Sequence, residues 1–284
     1  MNWQPSKCLE NPEEYRSKCI SKETGQEEFA LIILNQPIRI KRRLFDNVWQ
    51  NAKYRFCADG GANRLYDLLD TDEERTKYLP DYIRGDLDSL RDIVKDYYLA
   101  KGVPVERVSD QDSTDFMKCV DLVRDRDPQL ESSASTSSPD LADSSVPRDE
   151  VQKTGKGNYG SKLGIVALGG IGGRFDQSMS SIHYLYILNR ERQAVLVSNE
   201  SIVVVLTSGI HEITCNLEIE GPSCGVIPVG SSEATLTLTG LKWDVENWKT
   251  SFGGQISTSN VLIGSKVVVQ TDAPVVWTTE LVSK

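Results

Sequence analysis

The chain has 284 residues, of which 39% are hydrophobic and 26% charged, with a formal net charge of −9. That length and apolar content allow one large domain or two smaller ones with a real core. The acidic balance disfavours a nucleic-acid partner, because only a basic surface gains from counterion release.

Residues 1–28 are polar and charged and do not read as a signal peptide; they are expected to form an arm over the surface. The first strand signal is the continuous apolar run Phe29 to Leu34, of the kind covered on both faces in a parallel sheet. A charged helical stretch spans Ile40 to Asn51. A strand ending at Asp59, a Gly60-Gly61 turn and a helix from Arg64 to Leu69 come next. Pro80 to Asp86 reads as a short strand, Leu90 to Lys101 as a helix, Val105 to Val108 as a strand, and Ser113 to Val123 as a helix. This alternation predicts βαβ units. Residues 126–160 are rich in Ser, Asp, Gly and Lys and cannot bury a core, so a disordered or surface insert is expected there. Leu163 to Leu168 resumes the pattern as a buried strand, and a helix is expected from Phe175 to Arg190.

Beyond Gln193 the texture changes to short β-branched segments: Ala194–Val197, Ser201–Leu206, Glu212–Leu217, Ser223–Val229, Ala234–Leu241, Gly254–Ser257 and Val267–Gln270. That predicts an all-β sandwich or barrel. The expected organisation is an arm at 1–28, an α/β parallel-sheet domain at 29–192 and a β-sandwich domain at 193–284.

The six cysteines form no CxxC pair and match no zinc spacing, and the two histidines, His183 and His211, lie in apolar contexts. Reduced thiols, with no apolar run near the ~20 residues of a membrane span, suit a cytoplasmic protein without a membrane partner. The chemistry must therefore run on carboxylates, arginines and backbone. The sequon at Asn199 reads as a tight turn.

Four turns recur at the same place, each after a predicted strand: Asp59-Gly60-Gly61, Gly85-Asp86-Leu87-Asp88, Asp110 to Asp115, and Gly169 to Asp176. In an open parallel sheet those strand ends line the ligand crevice. Asp86 and Asp88, two apart, would point the same way in an extended segment and repel unless a cation lay between them. Hard oxygen ligands suit Mg²⁺ with substrate phosphates. Asp-rich surface turns that merely cap helices at Asp88 or Ser89 and at Asp112 or Ser113 are the competing reading. The Gly169-Gly170-Ile171-Gly172-Gly173 turn fits neither the P-loop nor GxGxxG. Its amides and the following helix N-terminus can still receive an anion, and Arg174 can pair bidentately with phosphate. In the β-rich region Ser257-Thr258-Ser259-Asn260, with Trp243 and Trp248 before it, suits a flat heteroaromatic ligand, or else a hairpin with core tryptophans.

Taken together, DGGANRLYD from Asp59, IRGDLDS from Ile83, DSTD from Asp112, GGIGGRFDQ from Gly169 and STSN from Ser257 resemble the thiamine pyrophosphokinases of eukaryotic type. The resemblance runs from about residue 29 to the C-terminus, outside the insert. It implies an α/β catalytic domain, a β-sandwich domain and a homodimer with shared active sites. The implied reaction moves diphosphate from ATP to thiamine, giving thiamine diphosphate and AMP. By motif position, Asp59, Asp86, Asp88 and Asp115 correspond to the catalytic carboxylates, with Asp86, Asp88 and Asp115 on Mg²⁺. Gly60, Gly61, Asn63, Arg64, Gln111, Thr114, Gly172, Arg174 and Asp176 correspond to ATP or phosphate contacts. Ser257, Asn260 and Trp243 correspond to the thiamine side. A non-catalytic thiamine or nucleotide sensor is the alternative, against which the intact Asp set counts; a dinucleotide enzyme would need the absent GxGxxG.

Overall fold

The structure is a computed structural model that describes residues 1–20, 28–127 and 162–282. Most of the expected insert therefore lies outside the described residues. Two sheets organise the chain. The larger has ten strands, and its parallel half begins with β2 (Phe29–Ile33), β3 (Tyr54–Ala58), β4 (Tyr82–Gly85) and β5 (Val105–Arg107) side by side. The chain then returns to the other side of β2 with β6 (Gly164–Leu168) and β7 (Ala194–Val197). Strand order reverses at β2, and the carboxyl ends of the strands beside such a reversal are where open parallel sheets place their ligands.

The apolar run of β2 alternates between two cores, as a strand of period two must when both faces are covered. Leu31 and Ile33 join the layer built by α2 (Arg42–Asn51), α3 (Gly61–Leu68) and α5 (Asp92–Ala100). Ala30 and Ile32 join the opposite layer, built by α6 (Asp115–Arg124) and α7 (Phe175–Leu188). A short helix, α4 (Asp72–Lys77), buries no residue and carries no apolar stripe that would mark it in the sequence.

The β-rich region is a sandwich, but one leaf continues the parallel sheet. β7 turns through Asn199 into β8 (Ser201–Leu206), and β15 (Val275–Leu281), β10 (Glu220–Ile227) and β13 (Ser257–Val261) extend the sheet antiparallel. The second leaf contains β9 (Gly209–Thr214), β14 (Lys266–Thr271), β11 (Ala234–Thr239) and β12 (Val245–Thr250). Trp277, Val226 and Val204 of one leaf meet Leu236, Val269 and Ile213 of the other in a third core.

The N-terminal segment is part of this sandwich. β1 (Asn2–Trp3) pairs with β9, the 3-10 turn Pro5–Leu9 is buried throughout, and α1 (Pro12–Ile20) follows. An arm lying on the surface does not describe residues 1–9: Trp3 donates to His211 Nδ1 at 3.0 Å, and Ser6 donates to Glu220 at 2.6 Å. His211 also bonds the Thr207 carbonyl through Nε2, which fixes a neutral ring in a structural role. No helix among the described residues is long and apolar enough to cross a membrane.

Candidate active site

The carboxyl ends of β3, β4 and β5 bring three carboxylates together. Ligand oxygens of Asp59, Asp86 and Asp115 all lie within 4.8 Å of one another. Asp59 follows β3 with a φ of +45°, which turns its side chain back under the next loop. There its Oδ2 accepts the Ser89 amide and its Oδ1 the Leu90 amide, both at 3.1 Å. Burial raises the Asp59 carboxyl above its ordinary value; the Gly60 amide opposes this and the charge of Asp115 adds to it. Gly85 permits the close approach, since a Cβ there would sit 2.7 Å from the Asp59 Cβ and 3.0 Å from Asp115 Oδ1.

Asp115 opens α6, one residue after Thr114, whose Oγ1 accepts the Met117 amide as the helix cap. Asp115 Oδ1 accepts two donors: the Asp86 amide at 3.1 Å and Lys118 Nζ at 3.2 Å.

Asp88 stands apart from this set. The Asp86–Asp88 segment is not extended, because Leu87 takes a φ of +64° and the Asp88 amide donates to Asp86 Oδ1 at 3.0 Å. The expected i, i+2 pairing of carboxylates is therefore not formed, and the carboxylates that cluster are Asp59, Asp86 and Asp115. Asp88 is exposed and 3.5 Å from Arg107, whose Nε bonds the Asp86 carbonyl.

The residues read as phosphate contacts divide. Asn63 is buried and committed: it donates to the Ser89 carbonyl at 2.7 Å and accepts the Arg91 amide at 3.1 Å, holding the loop that carries Asp88. Arg64 donates to Asn35 Oδ1 at 2.8 Å. Gly60 and Gly61 let α3 press against β2; a Cβ on Gly61 would lie 2.1 Å from the Ile33 carbonyl oxygen. Gln111 is exposed, and Ser113 and the Asp112 amide hold the neighbouring Asp110 carboxyl below its usual range. Gly172 donates its amide to Ser178 Oγ at 3.0 Å. Arg174 precedes α7 and pairs in a fork with Asp176, both exposed, so the guanidinium is available for exchange onto an anion.

Asn35 and Gln36 were not read from the sequence. They follow β2 at the reversal of strand order, touching the Gly60 turn and the Gly173 turn respectively. A polar Asn-Gln-Pro after an apolar strand was the available signal. Lys118 and Arg107 were also missed, since charged residues on a short helix or strand end ordinarily read as solvated.

On the sandwich, Asn260 is buried and bonds the backbone of Trp243 twice, accepting its amide at 3.2 Å and donating to its carbonyl at 2.9 Å. Trp243 itself is exposed, with the Lys242 ammonium 4.7 Å from its ring centre. Ser257 is half-buried, and Ser259 adopts a φ of +57°. Asn260 therefore holds the backbone of the exposed Trp243.

Two family models match the chain: "Thiamin pyrophosphokinase, catalytic domain" over residues 45–197, and "Thiamin pyrophosphokinase, vitamin B1 binding domain" over residues 210–276. Thiamine pyrophosphokinase 1 of Oryza sativa subsp. japonica is 37% identical, over 89% of this chain and 87% of its own. Thiamine pyrophosphokinase of Saccharomyces cerevisiae is 35% identical over 90% of both chains. The solved structure of thiamin pyrophosphokinase from Candida albicans superposes with a TM-score of 0.77 at 29% identity, covering 99% of this chain and 93% of that one.

Proposed function

The chain belongs to the thiamine pyrophosphokinase family, and from that premise we propose that it transfers diphosphate from ATP to the hydroxyl of thiamine, on Mg²⁺ held at the acidic strand ends. The observation that carries the reading is the convergence of Asp59, Asp86 and Asp115 within 4.8 Å at the carboxyl ends of the parallel strands, on the sheet where strand order reverses. Three oxygen donors so close suit a small hard cation, and carboxylate oxygens are the ligand chemistry Mg²⁺ prefers. Asp59, Asp86 and Asp115 would hold it, and its charge would neutralise the phosphate oxygens there.

The chain's own residues supply position and charge. The turn after β6 offers amides and the α7 N-terminus to the phosphates, and Arg174 exchanges Asp176 for a phosphate oxygen pair. The thiamine oxygen forms a bond to the β-phosphorus in line with the bond that breaks, and AMP leaves with the bridging oxygen. A carboxylate of this edge takes the hydroxyl proton.

The sheet order supports a site shared between two copies. β13, with Ser257 and Asn260, is the first strand of the ten, and β4, which precedes Asp86, is the ninth. At about 4.8 Å per strand, some 35–40 Å separates them within one chain before twist. One small substrate cannot touch both. A second copy supplying its Ser257 and Trp243 surface to this Asp edge resolves the distance. The exposed Trp243, Phe252, Ile256 and Ile263 on that end suit such a contact. The five described cysteines are buried free thiols, in keeping with a cytoplasmic setting.

The test is incubation with ATP, Mg²⁺ and thiamine. AMP and thiamine diphosphate in equal amounts are expected. ADP with thiamine monophosphate, or binding of both substrates without turnover, would overturn the reading in favour of another transfer or of a sensor.

A further inference from the structure

Lys118 is 3% exposed, an extreme burial for an ammonium group. The one hydrogen bond of its ammonium to a described residue goes to Asp115 Oδ1 at 3.2 Å, and it makes the only ion pair to a cluster carboxylate among the described residues. An ammonium has three donors, and burying it with a single acceptor is costly unless the arrangement serves something else. The same Asp115 oxygen also accepts the Asp86 amide at 3.1 Å, whereas Oδ2 carries no hydrogen bond among the described residues. Two donors on one oxygen fix the rotamer of the carboxylate and leave the other oxygen free. The placement follows from α6: Asp115 is its first residue, and Lys118 lies one turn on, at i+3.

We propose that Lys118 is a positioning residue for the transfer reaction, orienting Asp115 so that its free oxygen joins the oxygens of Asp59 and Asp86, and standing in for part of the missing positive charge while no cation is bound. This rests on the reading of the carboxylate cluster as the Mg²⁺ site. It differs from a plain helix ion pair in one respect: Lys118 and the cation both offset the charge of the same three carboxylates. Removing Lys118 leaves the cluster more negative, so cation binding strengthens, while loss of orientation lowers turnover.

Lys118→Met keeps the buried length and removes the charge; Lys118→Arg keeps the charge. The first readout is the shift in Tm on adding Mg²⁺ without nucleotide or thiamine. Lys118→Met is expected to melt lower than the parent in chelator and to gain more from Mg²⁺. In steady-state assays kcat should fall roughly 10- to 100-fold, the scale typical of residues that orient metal ligands. Half-saturating Mg²⁺ should fall as well, by about threefold or more. Lys118→Arg should recover most of kcat and the parent's Mg²⁺ response. An unchanged Mg²⁺-induced Tm shift in Lys118→Met, whether or not kcat falls, would overturn the proposal and leave a structural ion pair. Asp115→Asn separates the two levels. If it retains turnover, the metal-site reading itself fails; if it is inactive while Lys118→Met matches the parent, only the role of Lys118 fails. Should Lys118→Met not fold, Lys118→Gln, which keeps a donor without the charge, answers the same question by the same Mg²⁺-induced shift.

Discussion

Asp59 and Glu220 are buried carboxylates in different halves of the molecule, 3% and 1% exposed, and burial raises the pKa of both. Their surroundings differ. Glu220 accepts Ser6 Oγ at 2.6 Å and the Asn216 amide at 3.0 Å on one oxygen, and Thr279 Oγ1 at 2.7 Å on the other. Those donors come from the N-terminal segment, the loop before β10 and strand β15, so the acid staples three segments together. Asp59 also has two donors, but it faces Asp86 and Asp115 across the strand ends. A buried carboxyl whose oxygens are all met by hydroxyl and amide donors, as those of Glu220 are, is saturated and structural, even though the charge of Glu10 nearby adds to its raised pKa. One that faces further carboxylates has repulsion that a cation would relieve.

The largest expected effect comes from breaking the carboxylate cluster. Asp86→Asn keeps the oxygen that accepts the Asp88 amide and removes one charge of three. Turnover should fall roughly 10²–10³-fold, the scale of losing one preorganised electrostatic contact at a reacting phosphate. In chelator its Tm should equal or exceed the parent's, because repulsion is relieved. A Tm several degrees lower would mean that the cluster stabilises the fold as Glu220 does. Asp88→Asn should lose much less activity, because Asp88 lies outside the cluster and pairs with Arg107 at the surface.

A second saturated charge sits at the base of the insert. Arg192 is 1% exposed and forks onto Asp127 at 3.1 and 2.8 Å, with a further bond to the Leu163 carbonyl. The Leu163 amide returns a bond to Asp127 Oδ1 at 3.0 Å. The residues flanking the insert are thus locked side by side. Arg192→Met leaves Asp127 without its partner and should cost ~3–5 kcal/mol in urea unfolding. Turnover per folded molecule should hold, which sets it apart from Asp86→Asn.

The two halves were not equally legible in the sequence. Parallel strands announce themselves as apolar runs, so β2, β3 and β6 were readable, and so were the acidic turns that follow strands. The separation of Asp88 from Asp86 was not, because a left-handed Leu87 cannot be foreseen from a β-leaning run. Asn63, Thr114 and Asn260 carry the right chemistry for ligand contacts, yet each is occupied by a backbone group in the fold. Asn35, Gln36 and Lys118 depend on strand order and burial, which long-range pairing decides. In the sandwich, β12 and β15 escaped notice: β12 is a polar edge strand, and Val275–Leu281 was not separated as a strand of its own. Continuity of one sheet across residue 192 likewise rests on contacts that sequence texture does not carry.

The smallest effect distinguishes the two buried carboxylates by their titration. A carboxyl whose folded pKa is raised binds a proton more tightly in the native state than in the unfolded one. Its contribution to stability is full below the unfolded pKa and is lost as pH rises through the raised folded value. For Glu220 that window opens near 4.5 and extends upward; for Asp59 it opens near 3.8. Across it each group removes at most about 1.4 kcal/mol per pH unit. Glu220→Gln has no such proton to lose, its amide can still accept from Ser6 and Asn216, and its nitrogen can donate to Thr279. The Tm of Glu220→Gln minus that of the parent should therefore grow as pH rises above 4.5, by about 3 °C for each kcal/mol lost. A difference that stayed flat between pH 4.5 and 8 would show that Glu220 is not held protonated beyond its ordinary range. Adding Mg²⁺ should flatten the part of the parent's pH dependence that belongs to Asp59, because a cation favours its charged form, and should leave the Glu220→Gln difference untouched. If both changed together, the two carboxylates would be one coupled system, and the distinction between a saturated and a repelled buried carboxyl would not hold.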